Sequence, residues 1–472
     1  MLEGGFIVGK KLLCLLLAFI VFGLIGWVLP TPEGLPQTGK MALAVGAFAI
    51  IVWVTSAVEG AISGIMIVFL LAVTKAAKVA VAFSGFANTS VWLIVVGFIM
   101  AGIMEHVGLS KRIAIHLVGM AKGVSVRIYW AVAATMAVMT FLVPSITART
   151  LLMLPIILGI GASFNAKGGQ SNIVKALMYI VAMGGTAMSI GVLTAHVGNP
   201  ITVGMIADAT GQSVSWSEWF KIGGPPAFVL GFGLVFLFQF LFPPEIKKID
   251  NCDAYVQSEL AKLGPISRDE KYTLVVFLLT LILWATDSYT HLSVIIVGLL
   301  AVIALLFPKY GIMTWKDAQG KVPWNVFVLY GGGLSLGAVL VTSGAAKWIA
   351  GTVFSPLQVL PLTMQVIALI WIVTVMQVLF TGGGPKTTAL MPIIIAYAMS
   401  IGADPVMFAL ILGMNMQHQY LLPVSNMPNV VICGTDHITP KGLMRTGLIV
   451  SIVACAFMSL TAMTYWSWLG LL

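Results

Sequence analysis

Two cations sit in parts of this chain that are otherwise apolar. Arg149 lies in the stretch 141–161, FLVPSITARTLLMLPIILGIG, and Lys386 in 380–402, FTGGGPKTTALMPIIIAYAMSIG. Each precedes a proline, Pro155 or Pro392, by the same six positions. A fixed charge in hydrocarbon-length sequence is costly and marks function by default. Neither stretch contains a carboxylate, so the counter-charge has to come from elsewhere, and a small dianion would supply it. The competing reading is that each cation caps the carbonyl end of a half-helix, where the helix dipole favours positive charge.

The neighbouring residues suit the same chemistry. Pro144, Ser145, Ile146 and Thr147 interrupt the first stretch, and Gly382, Gly383, Gly384 and Pro385 the second. Such breaks expose backbone N–H groups that can grip carboxylate oxygens, although a plain re-entrant turn would also need glycine for its φ angles. Two further apolar segments carry internal breaks, at Gly198-Asn199-Pro200-Ile201-Thr202 and at Pro423-Val424-Ser425-Asn426-Met427-Pro428-Asn429. Unwound backbone at membrane depth is tolerated where it lines a cavity or is buried in protein. The freed N–H groups, Asn199, Ser425 and Asn426 would then meet the other end of a ligand, with Pro428 at the second break. A simple proline kink is the alternative. His196 and His418 each precede a break, where they would either bind substrate and titrate or hydrogen-bond neighbouring helices. Glu59, Glu105 and Asp287 read as span-end residues. Cys14, Cys252, Cys433 and Cys455 show no paired spacing, so no metal or disulfide framework is expected. No cofactor motif and no nucleophile–base pair stands in either hairpin, which argues against an enzyme.

These groups need a membrane to position them. Of 472 residues 59% are hydrophobic and 9% charged, against about 25% charged in soluble domains. Mean hydropathy is +1.04. The chain therefore reads as an all-α polytopic membrane protein, with the lipid bilayer as its main partner. The net charge of +9 is spread singly or in pairs through short loops, which excludes a nucleic-acid stripe. Spans are expected near 11–29, 40–57, 60–82 and 90–107, then a basic amphipathic segment, a hairpin at 128–164, a broken span at 174–207 and a span at 223–243. After a polar linker at 245–271 the order repeats: 272–288, 291–308, 323–343, a short amphipathic piece, a hairpin at 357–400, a broken span at 403–434 and a last span at 443–470. With the N-terminus cytoplasmic, only Lys40, Lys75, Lys78, Lys221 and Lys347 fall outside and two cations lie in the hairpins. The remaining Lys and Arg stay inside, as the positive-inside rule requires. The C-terminus is then extracellular or periplasmic, in what would be the cell (inner) membrane.

The two halves echo each other. Trp53-Val54-Thr55 answers Trp284-Ala285-Thr286, while Gly97, Gly108 and Lys111 answer Gly333, Gly344 and Lys347 at identical spacing. Phe220-Lys221-Ile222-Gly223 answers Met444-Arg445-Thr446-Gly447. An odd number of crossings before the second copy inverts it, the usual transporter plan.

Three motifs resemble the divalent anion/sodium symporter (DASS, INDY-type) family. They are Ser145-Ile146-Thr147 with Ala148 and Pro155, where the family has Ser-Asn-Thr; Leu422 through Asn429, close to the family's Leu-Pro-Val-Ala-Thr-Pro-Pro-Asn; and Pro323-Trp324-Asn325 through Gly331-Gly332-Gly333 and Ser343-Gly344. The resemblance implies about 11 transmembrane helices with two re-entrant hairpins, in a homodimer whose transport domain moves like an elevator against a scaffold. Scaffold would cover 1–110, 223–244 and 272–350. Transport elements would cover 111–222 and 351–442, with 245–271 a cytoplasmic linker and 443–472 the last helix. It implies di- or tricarboxylate substrates (succinate, malate, α-ketoglutarate, citrate), or sulfate in some branches. Carried over by position, the contacts are Ser145, Ile146, Thr147, Gly382, Gly383, Gly384, Asn199 and Asn426.

The chain departs from that pattern where sodium would bind. The first tip is Ser-Ile-Thr and the second Gly-Gly-Gly, each followed by a fixed cation. This looks like the exchanger branch. An empty carrier with uncompensated cations would be nearly immobile, since desolvating each costs several kcal/mol, and a dianion would release it. The expected function is thus antiport of dicarboxylates, with Arg149 and Lys386 compensating charge. Sodium- or proton-coupled symport, with Thr147, Thr387 and Thr388 as cation ligands, is the second reading. An anion channel or membrane-embedded enzyme is the third.

Overall fold

A computed structural model describes residues 2–380 and 382–472, with side chains from Gly9 onward. Thr381 of the second expected tip lies outside the described residues. The described chain is helical, and its β pairing is confined to an isolated bridge between Val124 and Lys248. Among the described residues nine helices are long and apolar enough to cross a membrane, and Gly60–Val73, Val294–Leu306, Leu362–Val378 and Pro405–Asn415 are shorter apolar helices.

The order of elements follows the expected inverted repeat. The first half runs Gly9–Val28, Gln37–Thr55, Gly60–Val73 and Thr89–His106, followed by the amphipathic Leu109–Gly119. The first hairpin comprises Ser125–Leu142 and Ile146–Ser163. A broken span, Asn172–Ile190 and Gly198–Thr210, precedes Trp216–Leu241. The second half runs Arg268–Ala285, Val294–Leu306, Trp324–Thr342 and the short Ala345–Val353. The second hairpin is Leu362–Val375 with Gly383–Ser400, the second broken span Pro405–Asn415 with Met427–Cys433, and the last span Pro440–Trp466.

Local sequence accounts for where these helices begin. Ser145 Oγ accepts from the Ala148 amide, so the serine of the first tip starts the descending helix. Ser215 does the same for Trp216–Leu241, and Ser267 with Glu270 forms a capping box before Arg268–Ala285. Asp287, expected at a span end, is buried and accepts from the Trp216 amide at 2.6 Å, tying the two halves together.

One expectation needs correction. The first broken span opens at 191–197, upstream of the expected site, and Gly198, Asn199 and Pro200 form the first turn of the next helix. First-turn N–H groups have no intrahelical acceptor, so proline costs nothing there. The polar linker, for which no secondary structure was expected, contains the helix Cys252–Leu263. Arg112 holds its end, donating to the carbonyls of Leu263, Gly264 and Pro265 and to Glu270 at 2.6 Å. Hydrogen bonds from Lys111 and Lys262 keep the Glu259 carboxyl below the usual carboxylate range.

Candidate functional site

A cavity of about 540 Å³ opens between the two hairpin tips. Ser145, Ile146 and Thr147 line it from the first tip, and Gly382, Gly383 and Gly384 from the second. His196 and Asn426 line it from the broken spans. The lining also includes Ser56, Glu105 and Lys321, the last two paired at 3.2 Å. The structure thus brings together both tips and both breaks, elements far apart in sequence. Ile146 and Gly383 are the first residues of their helices, so two positive helix ends face one space.

The two breaks share one geometry. Leu193–Ala195 and Pro423–Ser425 are each a single 3-10 turn. His196 (φ −141°, ψ 134°) and Asn426 (φ −150°, ψ 138°) follow them in the same extended conformation. Three residues on, Asn199 and Asn429 turn back and cap carbonyls freed by the break. Asn199 Nδ2 donates to Val192 O at 2.9 Å and Ser189 O at 3.0 Å, and Asn429 Nδ2 to Leu422 O at 3.1 Å and Gln419 O at 3.4 Å. The counterpart of Asn199 is therefore Asn429, and that of Asn426 is His196. The resemblance had grouped Asn199 with Asn426, yet Asn199 is fully buried and does not line the cavity. Ser425, Thr387 and Pro428 are buried behind the surface as well. Ser425 Oγ donates to Leu422 O, and Thr387 Oγ1 to Gly383 O.

His196 has a defined proton. Its Nδ1 lies 3.1 Å from the Gly198 amide, which can only donate. The neutral ring therefore carries its hydrogen on Nε2. Asn426 Nδ2 donates to Thr186 Oγ1 at 3.1 Å. His418, by contrast, is buried with Nδ1 against the Tyr420 hydroxyl at 2.8 Å, a bond within the same non-helical segment and not to a neighbouring helix.

Both cations are fully buried and lie behind the cavity lining. Arg149 donates from Nη1 to Thr140, from Nη2 to Ser189 Oγ at 2.8 Å and Ala195 O at 2.9 Å, and from Nε to Ser145 O at 3.4 Å. It clasps the hairpin tip to the first break. The carbonyls of Ser145 and Ala195 share peptide groups with the amides of Ile146 and His196, which line the cavity. Lys386 Nζ donates to Val373 O at 3.1 Å. Among the described residues neither cation meets a carboxylate, the ion pairs all lying elsewhere. No group of His, Cys, Asp and Glu suited to a metal ion occurs among them either.

One residue escaped the sequence reading. Gln417 is buried where the second tip, the second break and the start of Gly198–Thr210 converge. Its Nε2 donates to Thr387 Oγ1 at 2.9 Å. A Cβ at Gly383 or Gly198 would lie 2.0 or 2.2 Å from its amide, so a side chain at either position would displace the Gln417 amide. Gln417 lies before the Pro-Asn motif, in sequence that carried no signal beyond the polar Asn415, Gln417, His418 and Gln419.

Residues 10–472 match the family model described as "Sodium:sulfate symporter transmembrane region". A "membrane protein" of Cupriavidus necator is 33% identical over 96% of this chain and 92% of its own length. The sodium-dependent dicarboxylate transporter SdcS of Staphylococcus saprophyticus is 26% identical over 90% of this chain and 85% of its own. Among solved structures, the Alcanivorax borkumensis YdaH transporter aligns with a TM-score of 0.57 at 14% identity, covering 80% of this chain and 86% of that one. That likeness concerns the fold alone. On the family match and the Cupriavidus relative together, the chain belongs to the sodium:sulfate symporter transmembrane-region family of membrane transporters.

Proposed function

We propose that the protein exchanges dicarboxylates across the membrane, one dianion out for one in, by moving the hairpins and broken spans together against the remaining helices. The observation that carries this reading is the buried pair Arg149 and Lys386, neither compensated by a carboxylate. The substrate would lie between the tips. One carboxylate would meet the amides of Ile146 and Thr147 and the ring of His196. The other would meet the amides of Gly383 and Gly384 and the Asn426 amide. Arg149 acts through the peptides it polarises, since a hydrogen bond to a carbonyl strengthens the N–H of the same peptide group by about 10–30%. Its charge and that of Lys386 supply the positive field that two carboxylates cancel. The substrate class is supported by relatives called sodium-dependent dicarboxylate transporters.

Those same names favour a second reading, sodium-coupled symport. Asn199 Oδ1, Thr388 Oγ1 and Gln417 Oε1 are buried acceptor atoms without a protein partner. One experiment separates the two. Proteoliposomes loaded with succinate should take up labelled succinate without a sodium gradient, and empty vesicles should not. Uptake into empty vesicles that rises with external sodium would overturn exchange and establish symport.

A further inference from the structure

We propose that a second cavity, apolar and on the other side of Trp53, is a lipid site that takes one acyl chain of an anionic phospholipid, with the phosphate at Lys40. The cavity holds about 380 Å³ between the helix Gln37–Thr55 and the helix Gly383–Ser400 of the second hairpin. Leu43, Ala47 and Ile50 recur along one face of the first helix, and Ile393 faces them from the second. All four are only half-buried although they lie within the helix bundle.

The occupant follows from the surroundings. Water is not held in such a slot, because an ordered water needs polar partners. An unfilled slot would forfeit the dispersion contacts of every wall atom. In a bilayer the available filler is an acyl chain. Lys40 is the one ionisable residue in the lining. It stands at the start of its helix and is 6% exposed; its ammonium gives one of its three N–H bonds to Leu29 O at 2.5 Å. Glu33, the acid of the adjoining loop, is not part of the lining. One cation in the wall of an apolar slot matches an anionic headgroup.

The position gives the site a consequence. Trp53 lines both cavities, so the slot ends at the wall of the first cavity. The two reach opposite ends of the helix Gln37–Thr55, the first lined by Ser56 beyond its C-terminus and the second by Lys40 in its first turn. A chain in the slot holds that helix and the second hairpin apart at this level.

The test reads lipid rather than transport, so its failure and that of the exchange reading are distinguishable. The purified protein is titrated with dioleoyl phosphatidylglycerol or dioleoyl phosphatidylcholine and examined by native mass spectrometry. Wild type should retain one phosphatidylglycerol per chain, preferred over phosphatidylcholine by roughly fivefold, as one lysine beside an anionic headgroup gives. Ala47→Trp, which fills the slot, should lose it. Lys40→Gln should keep a bound lipid but bind the two about equally. Brominated-acyl phosphatidylglycerol gives a second reading should Ala47→Trp fail to fold: it should quench a smaller fraction of the emission of Trp348→Phe than of wild type, because Trp348 lines the slot. No retained lipid in wild type, an unchanged headgroup preference in Lys40→Gln, or equal quenching would overturn the proposal.

Discussion

Gly384 at the second hairpin tip lies directly beneath Tyr330 of the helix Trp324–Thr342. A Cβ built there would sit 2.1 Å from the Tyr330 hydroxyl and 2.3 Å from Cε1. The glycine is needed for this approach between the tip and a helix outside the hairpin. Gly384→Ala should therefore disfavour the observed arrangement by about 1–3 kcal/mol, the usual cost of overpacking, and lower exchange accordingly. Tyr330→Phe should not rescue it, because the ring carbons clash as well as the hydroxyl. Tyr330→Ala in the same chain should. Transport by the single and double variants checks this, and failure of Tyr330→Ala to rescue would show that the contact is not what the glycine serves.

Asn199 and Asn429 predict a separation between stability and binding. Each is buried, and its amide satisfies carbonyls seven and ten residues upstream. Replacing either by alanine leaves those carbonyls without a donor, at about 1–3 kcal/mol per unsatisfied group. The thermal midpoint of the purified protein should fall clearly. His196→Ala and Asn426→Ala should instead weaken substrate affinity with little loss of stability, since both reach the cavity. Equal thermal losses across all four variants would contradict this division.

The same four residues show what the sequence made legible. Both breaks, both tips and the two cations could be read because charge, proline and glycine are conspicuous in apolar helices, and the family resemblance supplied the order of elements. The register between the two breaks could not be read. Asn426 looks like the partner of Asn199 when motifs are aligned by eye, and only the shared 3-10 turns reveal Asn429 as the true match. Nor could the position of the cations relative to the cavity. Spacing puts Arg149 beside the tip, but whether its guanidinium meets ligand or carbonyls depends on Thr140 and Ser189, which are unremarkable in sequence. Gln417 and the slot behind Trp53 depend on tertiary approach and left no local trace.

Arg112 is predicted to hold the linker. It binds three carbonyls at the end of Cys252–Leu263 and pairs with Glu270, whose side chain is only 4% exposed. Removing one partner of a buried pair leaves the other charge uncompensated, at about 3–5 kcal/mol. Arg112→Ala should therefore lower the thermal midpoint and expose the linker to limited proteolysis, whereas Lys247→Ala should change neither. A protected linker in Arg112→Ala would place its anchor elsewhere.

The strongest demand falls on Lys386, because its removal is cleaner than that of Arg149. Arg149→Met would strip four hydrogen-bonding partners and damage the fold together with the charge. Among the described residues Lys386→Met leaves only Val373 O without its donor, and it keeps the volume nearly constant. If the two cations make the empty carrier immobile, neutralising one has two opposite effects. Exchange of a dianion should drop by about a hundredfold, near 2.8 kcal/mol at roughly 1.4 kcal/mol per decade, since the loaded carrier is now charged. Efflux into substrate-free medium should rise above wild type, because the empty carrier has lost part of its desolvation penalty. A purely structural lysine predicts that both rates fall together. Measuring labelled efflux with and without substrate on the far side distinguishes the outcomes, and unchanged rates in both assays would reduce Lys386 to a cap on a helix end.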